Sequence, residues 1–175
     1  ALEEEQNRSP GGATENRGLP ITVHTGEIRD DDEVIQILSR AERLGIKRLG
    51  HCCFMPTNFQ VPEGGFGIEI CPTSNLVAMQ LDDLKYHHFD TMRKHPHLRL
   101  SVNTDDRGLF NCSLTSELQD LATAFDLTWD DIVQLQRSAI LSSFHPSPKD
   151  LLATFEHELL KENSSNNLAA ENDLN

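Results

Sequence analysis

The sequence predicts an α/β fold assembled from parallel β/α units. Two observations carry that expectation: four short apolar runs recur along the chain, and amphipathic or polar segments separate them. A third, a set of helical stripes beyond the last run, makes the C-terminal part largely helical.

Residues 1–18 hold Glu3, Glu4, Glu5, Pro10, Gly11 and Gly12 among small polar residues, too little apolar content for a core, and read as a flexible lead-in. The first run is Leu19 to Val23. A helix follows, with Asp31 as candidate N-cap and Val34, Ile37, Leu38, Ala41 and Leu44 on one face. Gly45 is placed to end it. The second run, Ile46 to Leu49, leads into Cys52 to Gly65, where Pro56, Asn58, Pro62, Gly64 and Gly65 leave no helical period. A parallel crossover normally holds a helix there, so this one is irregular or shortened. The third and fourth runs are Phe66 to Cys71 and Leu98 to Val102.

Three helical stripes close the chain: Leu114, Leu118, Leu121 and Phe125; then Ile132, Leu135 and Ala139; then Leu151, Leu152, Phe155 and Leu159. Thr128 with Asp131, and Ser147 with Pro148 and Asp150, mark the starts of the last two. From Asn163 to Asn175 the core residues thin out to Leu168 and Leu174, and a frayed tail is expected. The folded domain is thus read as residues 19–162.

A formal charge of −13 over 175 residues repels phosphate backbones and anionic lipid, and no basic arm offsets it. Nucleic acid and membrane surfaces are excluded as charge-driven partners. No apolar run has the length of a bilayer, and the N-terminus has no signal-peptide pattern, so a cytoplasmic location is the expectation. The four cysteines form no C-x-x-C pair, and neither a disulfide framework nor a structural zinc site is expected.

Chemistry-bearing residues stand at the end of each apolar run: His24 and Glu27, His51, Ser74 and Asn75, Asp105 and Asp106. In a (β/α) barrel the strand C-termini build the active site, so these four groups would share one mouth. Imidazole and carboxylate are good zinc ligands, and an open zinc site makes a nucleophile of water. Further carboxylate and imidazole groups can move protons. Metal-assisted hydrolysis is the reaction class that fits.

The segments His-Thr-Gly-Glu (24–27), Leu-Gly-His (49–51), Glu-Ile-Cys-Pro-Thr-Ser-Asn (69–75) and Asn-Thr-Asp-Asp (103–106) stand in the order and rough spacing seen in the adenosine deaminase family, and the chain resembles that family from about Pro20 to Phe144. The resemblance implies the C-terminal half of a (β/α)₈ TIM-type barrel of the metal-dependent hydrolase kind. It also implies zinc-dependent deamination of an adenine nucleoside or nucleotide in purine salvage. By the same resemblance His24 and Asp105 are zinc ligands, Glu27 protonates ring nitrogen 1 of the purine, and His51 orients the zinc-bound hydroxide. Asp106 hydrogen-bonds ring nitrogen 7, and Gly26 lets the substrate approach the backbone. A protonated Glu27 calls for low-dielectric surroundings. Asp-Asp-Arg-Gly-Leu-Phe (105–110) and Tyr-His-His-Phe (86–89) resemble the branch acting on N6-methylated AMP, and adenosine, AMP and N6-methyl-AMP all stay open as substrates.

Family members are roughly twice this length and begin with a strand carrying His-x-His, which supplies two more zinc ligands. His95 and His97 have that spacing but precede the fourth run, at the opposite end of the barrel. The half-barrel is therefore expected to be inactive alone and to expose strand edges and an unfilled apolar interior, with a missing N-terminal half as partner. The alternative is a non-catalytic barrel half that serves as a subunit.

Other polar groups have plainer readings. Asp30 to Asp32, Asp82-Asp83 and Asp130-Asp131 suit helix N-termini. His87 and His88 point to different sides and belong on the surface or a substrate loop. Cys71 is a small apolar residue, and Ser74 has no base beside it to make a nucleophile.

Overall fold

The structure, a computed structural model, describes residues 19–56, 61 and 65–172, with side chains described through residue 162. Four strands, β1 (Ile21–Thr25), β2 (Ile46–His51), β3 (Phe66–Ile70) and β4 (Leu98–Val102), form one parallel sheet in sequence order. Each matches an apolar run of the sequence. Consecutive parallel neighbours with helices attached are the arrangement of an opened (β/α) barrel. The outer edges of β1 and β4 have no strand partner among the described residues.

Helix α1 (Asp31–Leu44) links β1 to β2. Its cap is Asp30 rather than Asp31: the Asp30 carboxylate accepts from the amides of Asp32 and Glu33. That leaves three acidic residues in the first turn, where the macrodipole favours them. Gly45 ends the helix at φ +75°, its amide closing back on Ala41 and Glu42, as a left-handed C-cap should. The described part of the β2–β3 crossover carries no helix, in keeping with its prolines and glycines.

After β3 come α2 (Pro72–Met79), a 3₁₀ turn (Leu84–Tyr86) and α3 (Phe89–Arg93). After β4 come α4 (Arg107–Phe110), α5 (Leu114–Phe125), α6 (Trp129–Ser142) and α7 (Pro148–Asn172). Thr128 and Asp131 form the expected reciprocal capping box. The α7 backbone stays helical to Asn172, past the point where fraying was expected. Once a helix is nucleated each added residue gains a hydrogen bond, and Leu168, Ala169 and Ala170 favour the helical state. Residues 1–18 and 173–175 lie outside the described residues. Among the described residues no helix is long and apolar enough to cross a membrane.

The core lies on one sheet face. The row Val23, Leu49, Ile68 and Leu100 runs across all four strands and meets Val34, Leu38 and Ala41 of α1, Phe89 and Met92 of α3, and Leu135 of α6. The opposite face corrects the expectation of an apolar interior. There Glu69 accepts from the Thr22 hydroxyl at 3.2 Å and pairs with Arg48 at 2.7 Å, while the Arg48 guanidinium stacks over Phe144. Strand alternation explains it: residues one position off the core row point the other way, and here they are polar.

Candidate active site at the C-terminal ends of the strands

His24 lies in β1, His51 ends β2, Ser74 and Asn75 lie in the first turns of α2 after β3, and Asp105 and Asp106 follow β4. All four sequence groups therefore meet at one rim of the sheet. Glu27 Oε1 lies 3.4 Å from His24 Nδ1 and 3.7 Å from His51 Nε2, and the two imidazoles meet edge to face at 4.8 Å. His51 is buried, whereas His24 and Glu27 are open to water. The low-dielectric surroundings required of a protonated Glu27 are not supplied by these residues: its side chain is 42% exposed.

The backbone here is contorted. His51 and Cys52 stand consecutively at φ +65° and +49°, and Asp105 at +52°. Left-handed conformations of such residues cost of order 1–3 kcal/mol each and gather at functional sites. Gly26, at φ +66°, is forced by the same knot: an added Cβ would meet Cys52 Cα at 3.1 Å and Phe54 O at 3.2 Å. The Phe54 amide also donates to Gly26 O at 2.8 Å, so Gly26 already has a structural reason to be glycine. Gly50 has another, since an added Cβ would sit 2.7 Å from His24 Cδ2.

Asp105 stands outside the His24–Glu27–His51 group; its Oδ2 accepts from the Ser74 hydroxyl at 2.7 Å. Ser74 is thus a donor that holds a carboxylate, a role its sequence position did not disclose. Asp106 caps α4, Oδ1 accepting from the Leu109 amide at 2.9 Å, which leaves Oδ2 for other partners. His95 and His97 precede β4, at the opposite end of the sheet.

Three residues support the site through contacts that the sequence did not disclose. The Asn75 side-chain amide lies between two imidazoles, 3.0 Å from His51 Nδ1 and 2.9 Å from His87 Nε2. His87 was expected on the surface or a substrate loop; it is buried, because the 3₁₀ turn before it aims the ring inward, and desolvation there, with a smaller push from His88, lowers its pKa to about 4. Glu117 of α5 is fully buried, and its Oε2 accepts from the Thr73 amide at 2.9 Å, anchoring the α2 terminus that carries Ser74 and Asn75.

His24, Glu27 and His51 each offer a ligand atom within 4.8 Å of the others, the one such group among the described residues. Imidazole and carboxylate are the donor types a divalent zinc ion takes, so the residues fit that ion in kind.

The family model for adenosine deaminase matches residues 11–154. The chain is 34% identical over 133 residues to adenosine deaminase of Lacticaseibacillus casei, covering 74% of this chain and 38% of that one. It is 32% identical over 135 residues to N6-mAMP deaminase of Arabidopsis thaliana, covering 72% and 35%. The crystal structure of Arabidopsis ADAL complexed with GMP superimposes with a TM-score of 0.66 at 28% identity, covering 81% of this chain and 41% of that one. The chain thus spans about two fifths of the length of the relatives it matches. With a matching family model over most of its length, and parallel strands whose ends carry the motifs, this chain belongs to the adenosine deaminase family.

Proposed function

We propose that the chain forms the C-terminal, proton-handling side of a zinc-dependent deaminase of adenine nucleosides or nucleotides, a C–N hydrolase of purine salvage that is inactive without residues outside this chain. The observation that carries this reading is the convergence of His24, Glu27 and His51 on one point at the strand ends of an adenosine deaminase-family fold. Zinc, held by His24 and Asp105 together with ligands from elsewhere, would supply an activated water at carbon 6 of the purine. Glu27 would deliver a proton to ring nitrogen 1 as the 6-amino group leaves. That carboxyl lies 3.4 Å from His24 Nδ1 and 3.7 Å from His51 Nε2, so both imidazoles stand beside the proton it handles. Asp106, with Oδ2 uncommitted to its helix, would bind ring nitrogen 7. A closing partner would also have to cover Glu27, which this chain leaves wet. Adenosine, AMP and N6-methyl-AMP all stay open as substrates, since the relatives include adenosine deaminases as well as an N6-mAMP deaminase.

Zinc content and ammonia release from adenosine, AMP and N6-methyl-AMP are the test, on this chain alone and mixed with the N-terminal half of a family member. Activity in the mixture alone, abolished by Glu27→Gln, supports the proposal. Full activity of the isolated chain overturns the dependence on outside residues. No zinc and no ammonia in either sample transfers the reading to a non-catalytic subunit.

A further inference from the structure

We infer that His87, acting through the amide of Asn75, fixes which nitrogen of His51 carries the proton, so that His51 presents an N–H to the mouth of the site. Phe89 is the first residue of α3, and its amide has no acceptor within its helix. It donates to His87 Nδ1 at 2.9 Å, so that nitrogen is a lone pair. A neutral imidazole has one lone-pair nitrogen and one N–H. His87 is 4% exposed and held neutral by burial, so its proton sits on Nε2.

That N–H faces the Asn75 amide at 2.9 Å. With Nδ2 of Asn75 toward His87, two donors would oppose each other, and His87 would need a second lone pair it lacks. Exchanging the amide end for end, a change of almost no shape, removes the conflict. Asn75 Oδ1 then accepts from His87, and Asn75 Nδ2 donates to His51 Nδ1 across 3.0 Å. His51 Nδ1 is therefore the lone pair, and the proton is on Nε2, the nitrogen 3.7 Å from Glu27 Oε1.

The consequence separates the two site imidazoles. His51 has no lone pair facing the site, so it is neither a metal ligand nor a base there. Its Nε2–H faces Glu27 Oε1, 3.7 Å away, and is available to an acceptor in the mouth of the site. Metal binding falls to His24, and Asn75 and His87 are positioning residues. The tautomer stands on hydrogen-bond accounting alone; only its catalytic use rests on the deaminase reading.

Long-range proton–nitrogen correlation spectra of the labelled full chain, recorded where histidines are neutral and assigned with His51→Gln and His87→Gln, read the tautomer directly. The expected wild-type pattern is a protonated Nε2 and a bare Nδ1 for His51. Asn75→Asp puts an acceptor-only carboxylate beside Nδ1 and should reverse it. A wild-type His51 protonated on Nδ1 overturns the inference, as does an unchanged tautomer in a folded Asn75→Asp chain. If that variant does not fold, the wild-type spectrum still decides. Added zinc should shift the His24 resonances and leave the His51 tautomer in place; loss of the His51 Nε2 proton to zinc also overturns the inference. The wild-type tautomer confirms or overturns this inference whether or not the chain alone takes up zinc, and the deaminase reading is tested separately by ammonia release in the mixture.

Discussion

Gly50→Ala isolates the placement of His24 from the stability of the sheet. Gly50 is the register partner of His24 across the β1–β2 pair, and an added Cβ lies 2.7 Å from Cδ2 and 3.2 Å from Cγ and Nε2 of the ring. Carbon atoms rest about 3.5–4.0 Å apart, so the ring must withdraw by roughly 1 Å. The His24 side chain is 63% exposed and free to turn. Leaving its rotamer costs about 0.5–1.5 kcal/mol. Alanine in a strand recovers about 0.5–1 kcal/mol over glycine. These terms nearly cancel, so the thermal midpoint should stay within about 4 °C of wild type. The position of the imidazole does not recover, and zinc affinity should fall about 10- to 100-fold, as when a group that orients a metal ligand is lost. Scanning calorimetry, zinc titration and the His24 ring resonances measure the three quantities. An unmoved ring with undiminished zinc binding would refute the reasoning, as would a variant that unfolds, because the methyl would then be meeting something less yielding than an exposed side chain.

Two further outcomes follow from buried groups. Between about pH 6.5 and pH 4 the unfolded chain binds a proton at position 87 that folded His87 refuses, so stability is full above that window and falls as the pH drops through it, by up to about 3 kcal/mol. Urea unfolding at stepped pH should show His87→Gln flattening this decline, and identical slopes in the two chains would dismiss His87 as its source. Burial pushes the Cys53 and Cys71 thiols up to about 12 and Cys52 higher still, so alkylation of the native chain at neutral pH should label Cys112 first, with the other three reacting only as the chain opens. Mass spectrometry of timed samples reads the order, and early labelling of Cys52 would contradict the burial.

Much of this was legible in the chain because its signals are local. Gly45 past an apolar stripe, Thr128 three residues before Asp131, and polar residues closing each apolar run all act within a few positions, and all appear in the fold as expected. The one-residue slip from Asp31 to Asp30 arises because four successive acidic residues offer near-equal caps. What was illegible depends on distance along the chain. Ser74 reaches Asp105 across 31 positions and Asn75 reaches His51 across 24, pairings that no spacing rule announces. His87 looked like half of a surface pair because only the 3₁₀ turn decides which way its ring points. Glu117 sits inside an ordinary helical stripe, and nothing in that stripe says its carboxylate will be buried against the start of α2. The polar sheet face was missed for another reason: the runs were read as apolar blocks, which hid the alternate Thr22, Arg48 and Glu69 within them.

That polar face sets the thermodynamic character of any event that closes the sheet. Heat-capacity change on association tracks the apolar area withdrawn from water. A partner laid over Thr22, Arg48 and Glu69 removes little of it, and pairing along the edges of β1 and β4 adds mainly peptide hydrogen bonds. Closure would therefore register calorimetrically as heat released with a nearly temperature-independent enthalpy, unlike the signature of two oily surfaces meeting.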